Sequence, residues 1–278
     1  MYYCVRIKRF LYLFALSLAR KSVVLAQVPA WNQFLGQGRN GISPETGLLA
    51  NWPTQGLEIA WRANGGVGMS AVAVAEGRAI TIMWNSDGGQ TVAALSMKDG
   101  ALLWTALVAA NYENQMGNGP RATPTIAGKQ VFAYTGEGTL VYLDLSTGKQ
   151  CWSKSVVREM LGRPAEYGMA CSPLVVDDLV IVTAGGQGKA VVALDRKSGD
   201  IRWTAVNGLP GHSSPALLDL CGESHVVAFT ASGVTGLHPN DGKELWSYPF
   251  PTPYDCNTAT PIEAGGNVFI SAGEIMVV

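Results

Sequence analysis

Val141-Tyr-Leu-Asp144-Leu-Ser-Thr-Gly148-Lys-Gln-Cys-Trp152 and Val191-Val-Ala-Leu-Asp195-Arg-Lys-Ser-Gly199-Asp-Ile-Arg-Trp203 are two copies of one pattern. Each runs from an apolar, β-branched stretch into an aspartate, reaches glycine four residues later and closes on tryptophan. The aspartate side chain bonds back into such a turn, and the glycine supplies the positive φ that the turn requires. Looser copies run from Val92 through Gly100 to Trp104 and from Val234 through Gly242 to Trp246, and Leu57-Glu-Ile-Ala-Trp61 reads as the tail of the same unit.

The five tryptophans are spaced by 43, 48, 51 and 43 residues. Periods of this size belong to solenoids, propellers or arrays. Between the tryptophans lie runs such as Val131-Phe-Ala-Tyr134 and Leu179-Val-Ile-Val182, separated by Gly, Asp and Asn clusters. That is strand and turn chemistry, and no apolar run with helical spacing follows residue 26. Four units open with Thr123-Pro124, Ser172-Pro173, Ser214-Pro215 and Thr260-Pro261; the first has Ala71-Val72 there. Proline at the start of a strand loses no ladder hydrogen bond. Four strands in a period in the forties describe a blade of an all-β propeller. Four complete blades and the start of a fifth are expected, with each repeat tryptophan packed between neighbouring blades.

The 33 glycines and 14 prolines agree with many tight turns, and 47% apolar against 15% charged residues excludes disorder. A net charge of -1 removes the electrostatic case for nucleic acid. At the N-terminus Arg6, Lys8 and Arg9 precede the apolar run Phe10–Ala19, which is too short to span a bilayer, and Val24-Leu-Ala26 offers a cleavage site. Residues 1–26 read as a secretory signal, 27–56 as a leader and 57–278 as the propeller. The mature chain is expected in the periplasm or secreted, with no integral membrane segment. Cys151, Cys171, Cys221 and Cys256 then remain, and three disulfide pairings are open. No C-x-x-C pair supports zinc or redox chemistry, and Cys151 and Cys171 read as small buried strand residues.

The string around Asp144, Gly148 and Trp152, repeated around Asp195, Gly199 and Trp203 and preceded by a Ser/Thr-Pro strand, resembles the repeat of pyrroloquinoline-quinone-type, or quinoprotein-like, propellers. The leader from Trp31 to Gly47 is similar to the opening of exported propellers of planctomycete-type bacteria. The resemblance implies closed rings of seven or eight blades, so the chain is expected to be an incomplete ring with an apolar terminal face near residues 262–278. The best understood relative, a lipoprotein of the outer-membrane assembly machinery, implies protein binding without catalysis. Quinoprotein dehydrogenases of the same fold imply pyrroloquinoline quinone held with calcium. This chain has no Cys-Cys dipeptide, no match to their catalytic aspartate and about half their length, so no cofactor is expected.

Other chemistry is equally thin. Asn85-Ser86-Asp87-Gly88-Gly89 and Asn240-Asp241-Gly242 lack the ligand pattern and terminal glutamate of a calcium loop. Gly185-Gly186-Gln187-Gly188 precedes no helix, and His212, His225 and His238 fall in one blade without companion ligands. What remains is the loops that lead into each first strand on one propeller face: Asn111–Arg121, Arg158–Tyr167 and Tyr248–Asn257. Their arginine, tyrosine and methionine content suits a binding surface. The expected site is Arg121, Arg163, Tyr167, His212 and Tyr254, because Arg121 and His212 each stand three residues before the strand-opening proline. The expected role is a scaffold for a protein or polymer partner, and the alternative is a fragment of a quinone-dependent alcohol or sugar dehydrogenase.

Overall fold

The computed structural model describes residues 30–278 except 49, 52, 86, 87, 274 and 278. The proposed signal segment and the middle of the Asn85–Gly89 turn lie outside the described residues. Among the described residues nineteen strands form five antiparallel sheets. The first holds β1–β4 (Ala73–Ala75, Arg78–Asn85, Gly89–Ser96, Leu102–Ala109), and the second β5–β8 (Thr125–Ala127, Gln130–Tyr134, Thr139–Asp144, Gln150–Ser155). The third holds β9–β12 (Leu174–Val176, Leu179–Thr183, Val191–Asp195, Ile201–Ala205), and the fourth β13–β16 (Ala216–Leu220, Glu223–Thr230, Gly233–Leu237, Glu244–Pro249). The fifth has three strands, β17–β19 (Ile262–Ala264, Asn267–Ala272, Ile275–Val277). Every sheet runs in simple meander order, and the first strands β1, β5, β9, β13 and β17 lie side by side in sequence. This is a partial β-propeller of four complete blades and most of a fifth.

The cores lie between blades. Ile80, Ile82 and Val92 of the first blade pack on Ile126, Val131 and Val141 of the second. Phe132, Tyr134 and Leu140 meet Val180, Val182 and Val192 in the next gap. Ile181 and Val191 meet Val226, Ala228 and Leu237, and Phe229 and Val234 meet Ile270 and Ala272. A middle strand covered on both faces cannot alternate polar with apolar residues, and all five residues of β10 are buried. The Tyr134 hydroxyl, fully buried, donates to the Thr183 carbonyl of the next blade at 2.8 Å.

The repeat turn is a joint. Asp144 Oδ1 accepts from the amides of Ser146 and Thr147 at 3.0 and 2.9 Å, and Asp195 Oδ1 from those of Lys197 and Ser198 at 2.9 and 3.0 Å. Gly148 and Gly199 close the turns at φ +71° and +75°. The missing side chain matters as much as the angle. A Cβ on Gly148 would fall 2.5 Å from the Trp104 ring, one on Gly199 3.0 Å from Trp152, and one on Gly242 2.5 Å from Trp203. Each tryptophan lays its indole on the glycine of the following blade and donates Nε1–H to the carbonyl three residues before it. Trp61 reaches Met97 at 3.0 Å, Trp104 Leu145 at 2.9 Å, Trp152 Arg196 at 3.2 Å and Trp203 Pro239 at 3.0 Å. A β-bulge recurs beside the tryptophan in all four complete blades, between Ala94 and Leu95, Tyr142 and Leu143, Ala193 and Leu194, and Gly236 and Leu237. Trp246 departs from the rule and bonds His225 Nδ1 of its own blade at 2.9 Å.

Several sequence expectations are corrected. The described part of the leader packs on the propeller. The Trp31 carbonyl accepts from Val74 of β1, and Asn32 exchanges backbone and side-chain bonds with Ile126 of β5 at 2.7 and 2.9 Å. Arg39, 2% exposed, ends among the first strands of the third and fourth blades and donates to the carbonyls of Ser172, Pro173 and Pro215 and to Gln33. Cys151 is exposed because the outermost strand β8 faces solvent, while Cys171 is buried in the loop before β9 rather than in a strand; all four described cysteines are free thiols. Arg158 lies in a single helical turn, α1 (Val156–Glu159), and Tyr248 lies in β16, so neither belongs to a loop. In the fifth sheet Ile270 and Ala272 are buried against the fourth, leaving Ile262 and Phe269 half-buried.

Candidate functional site at the mouth of the propeller

The Ser/Thr-Pro pairs have a structural reason. The Thr123 Oγ1 accepts from the Ala71 amide at 3.2 Å, Ser172 Oγ from the Thr123 amide at 2.9 Å, and Ser214 Oγ from the Ser172 amide at 2.9 Å. Each hydroxyl thus ties the start of one first strand to the start of the one before it. The amide of the residue preceding proline has no ladder partner in its own blade, and the neighbour's hydroxyl supplies one. The result is a belt around the axis where the loops enter the blades.

Two residues before each belt residue, the chain faces a common hollow. Met69, Arg121, Ala170, His212 and Thr258 are equivalent positions of the five blades, each three residues before the strand-opening Val72 or proline. All five line one pocket of about 380 Å³, together with Ser172, Ser214, Tyr167, Met116 and Phe34 of the leader. That size falls within the range of small-ligand and side-chain pockets.

The polar groups are held with capacity to spare. Arg121 lies over the Tyr112 ring, 4.8 Å from its centroid, and donates to the carbonyls of Gly117, at 2.6 Å, and Gly119. Tyr167 stacks on His212 with ring centroids 5.5 Å apart. Both ring nitrogens of His212 are buried without a hydrogen-bond partner among the described residues. Burial pushes the His212 pKa below the ordinary value, opposed by the Asp255 carbonyl, so the ring is neutral at pH 7. Burial, Glu166, Cys256 and Tyr254 together raise the Tyr167 phenol. Arg39 lies beneath, its pKa lowered by burial to about 10 and its charge intact at neutral pH.

Of the five residues expected from sequence, Arg121, Tyr167 and His212 come together here. Arg163 does not: it is ten residues before Pro173, and its exposed side chain lines a separate hollow with Gly162, Gly186, Gln187 and Asn207. Tyr254 stands seven residues before Pro261 on a one-turn 3-10 segment, Pro253–Asp255, 70% exposed and outside the lining. Sequence reasoning missed Met69, Ala170 and Thr258, although the three-before-proline rule it applied to Arg121 and His212 reaches Ala170 and Thr258, and reaches Met69 once Val72 is taken in the place of proline. Phe34 carried no such signal.

A family model described as "Outer membrane protein assembly factor BamB" matches residues 88–278. No curated protein matches the chain in sequence. Among solved structures, BamB from Moraxella catarrhalis is 22% identical with a TM-score of 0.53, over 77% of this chain and 58% of that one. The quinohemoprotein alcohol dehydrogenase of Comamonas testosteroni is 17% identical with a TM-score of 0.56, over 89% of this chain and 46% of that one. A second such dehydrogenase, from Pseudomonas putida, is 17% identical with a TM-score of 0.51, over 72% and 36%. The chain therefore spans between about a third and three fifths of the length of these proteins, and at these identities they show the shared fold. With the repeat joint, the belt and a family match over residues 88–278, the chain belongs to the BamB family of quinoprotein-like β-propellers.

Proposed function

We propose that this chain is an exported, non-catalytic propeller that binds a segment of a protein partner at its mouth. The observation that carries the reading is the convergence of one repeat position from five blades on a single pocket, lined by Met, Phe, Tyr, His and Arg side chains. Aromatic residues, methionine and arginine are enriched at protein interfaces. The family description names outer-membrane protein assembly, which extends here to a partner in the cell envelope. The basic-then-apolar N-terminus supports export to the periplasm or the medium. No described helix is long and apolar enough to cross a membrane.

The dehydrogenase reading fares worse on donor chemistry. The mouth lining contains no carboxylate, and no cluster of three His, Cys, Asp or Glu suited to a metal stands among the described residues. These groups do not fit calcium with a quinone. Adding pyrroloquinoline quinone and calcium to the protein is expected to give neither a quinone spectral shift nor dye reduction. Photo-crosslinkers at Ala170, in the mouth, and at Asn240, in an outer turn, separate the readings further. Envelope protein crosslinked from position 170 and not from 240 is the expected result; equal labelling at both would refute the assignment of the binding face.

A further inference from the structure

We propose that the mouth recognises a carboxylate carried on an apolar peptide segment; this rests on the binding reading above and names the chemistry bound. The floor offers more unused donors than acceptors. Ser172 and Ser214 each use one oxygen lone pair to accept a belt amide, and neither hydroxyl hydrogen has an acceptor among the described residues. Arg121 has five N–H groups, of which the Gly117 and Gly119 carbonyls take two. Stacking on Tyr112 and those two bonds fix its plane, leaving three donors. His212, neutral, adds one ring N–H and one acceptor nitrogen, neither in a well-formed hydrogen bond among the described residues, with the Asp255 backbone close by.

Charge points the same way. Neither Arg121 nor Arg39 makes an ion pair among the described residues. Arg39 differs from Arg121 in that Gln33 and the carbonyls of Ser172, Pro173 and Pro215 occupy its donors, so it contributes charge rather than contacts. The carboxylates whose charge acts on His212, Glu166 and Asp255, sit outside the lining, Glu166 exposed and Asp255 half-exposed. The Arg121 guanidinium among neutral donors, with the buried charge of Arg39 beneath, makes a site for an anion, and a planar guanidinium matches a carboxylate. Met69, Met116, Phe34, Ala170 and Tyr167 form apolar walls, which suit a hydrophobic carrier and not a free hydrated ion.

The test uses the full chain and three fluorescein-labelled hexapeptides of one Leu/Ala sequence. The first has a free C-terminal carboxylate and no acidic side chain, the second a C-terminal amide and one internal Glu, and the third an amide and Gln. By anisotropy, at least one carboxylate peptide is expected to bind about tenfold or more tightly than the neutral peptide. Which of the two does so identifies the source of the carboxylate. Arg121→Met is expected to abolish that preference, Arg121→Lys to retain part of it, and His212→Phe, which keeps the ring stack, to reduce it. Equal binding of all three peptides, displaced by a crosslinker at Ala170, overturns the carboxylate inference and leaves the binding face standing. Binding of none overturns it too, and the crosslinking at positions 170 and 240 then decides the binding face alone. A carboxylate preference that survives both Arg121→Met and His212→Phe also overturns it.

Discussion

Trp203 makes the joint between the third and fourth blades, and its value can be read from what it touches. It is 6% exposed, lies on Gly242 and donates to the Pro239 carbonyl. Trp203→Ala is expected to destabilise the fold by about 3–5 kcal/mol, measured by chemical denaturation. Trp152, half-buried, should give a smaller loss in the same experiment. Arg39→Met is expected to destabilise by about 3–5 kcal/mol as well, since it strands the carbonyls of Ser172, Pro173 and Pro215 in the interior, and Arg39→Lys should not restore it because an ammonium cannot span that fork. An unchanged melt for Arg39→Met would remove the leader from the core. The tryptophan joints were legible because Asp, Gly and Trp recur at fixed offsets. Arg39 was not, since all but one of its partners are backbone carbonyls, which no side-chain pattern records.

At the scale of the element, the belt explains why a hydroxyl residue precedes Pro124, Pro173 and Pro215. Ser172→Ala leaves the buried Thr123 amide without a partner, at about 1–3 kcal/mol, and Ser172→Thr should be tolerated because Thr123 fills the equivalent place. Denaturation midpoints of the two variants check this. The loop carrying His212 adds a pH dependence. An unfolded histidine titrates near 6.5, and the folded ring, held neutral by burial, titrates lower. Between the two values the unfolded chain binds more protons, so stability falls as the pH drops below about 6.5. His212→Phe should flatten that part of the stability curve, and an unaltered slope would count against a buried neutral ring. Two of the five equivalent mouth positions were legible for the same reason as the belt: Arg121 and His212 hold a fixed offset from proline. Arg163 and Tyr254 were chosen for residue type within the right loops, and type alone does not say which way a loop side chain points.

Across the whole molecule, stability is built from interfaces between successive blades, so it resembles a sum over neighbours more than a single core. Amide exchange should therefore be slowest in β10 and β11, which are covered on both faces, and faster in β17 and β18, where most described residues are exposed or half-buried. Repeat period and tryptophan spacing were enough for this architecture, whereas the threading of the leader along the first strands of the blades was not, because it follows no period. The account turns on loops of different blades meeting at one mouth, and nuclear Overhauser contacts in protein labelled at Met, Gly, Tyr and His test that meeting directly. The Tyr167 and His212 rings, from loops of the third and fourth blades, should show mutual contacts, and the Met69 methyl should contact the Gly117 α-protons. Their presence would place four loop residues around one hollow; a folded protein in which both pairs are silent would contradict the convergence and the binding face built on it.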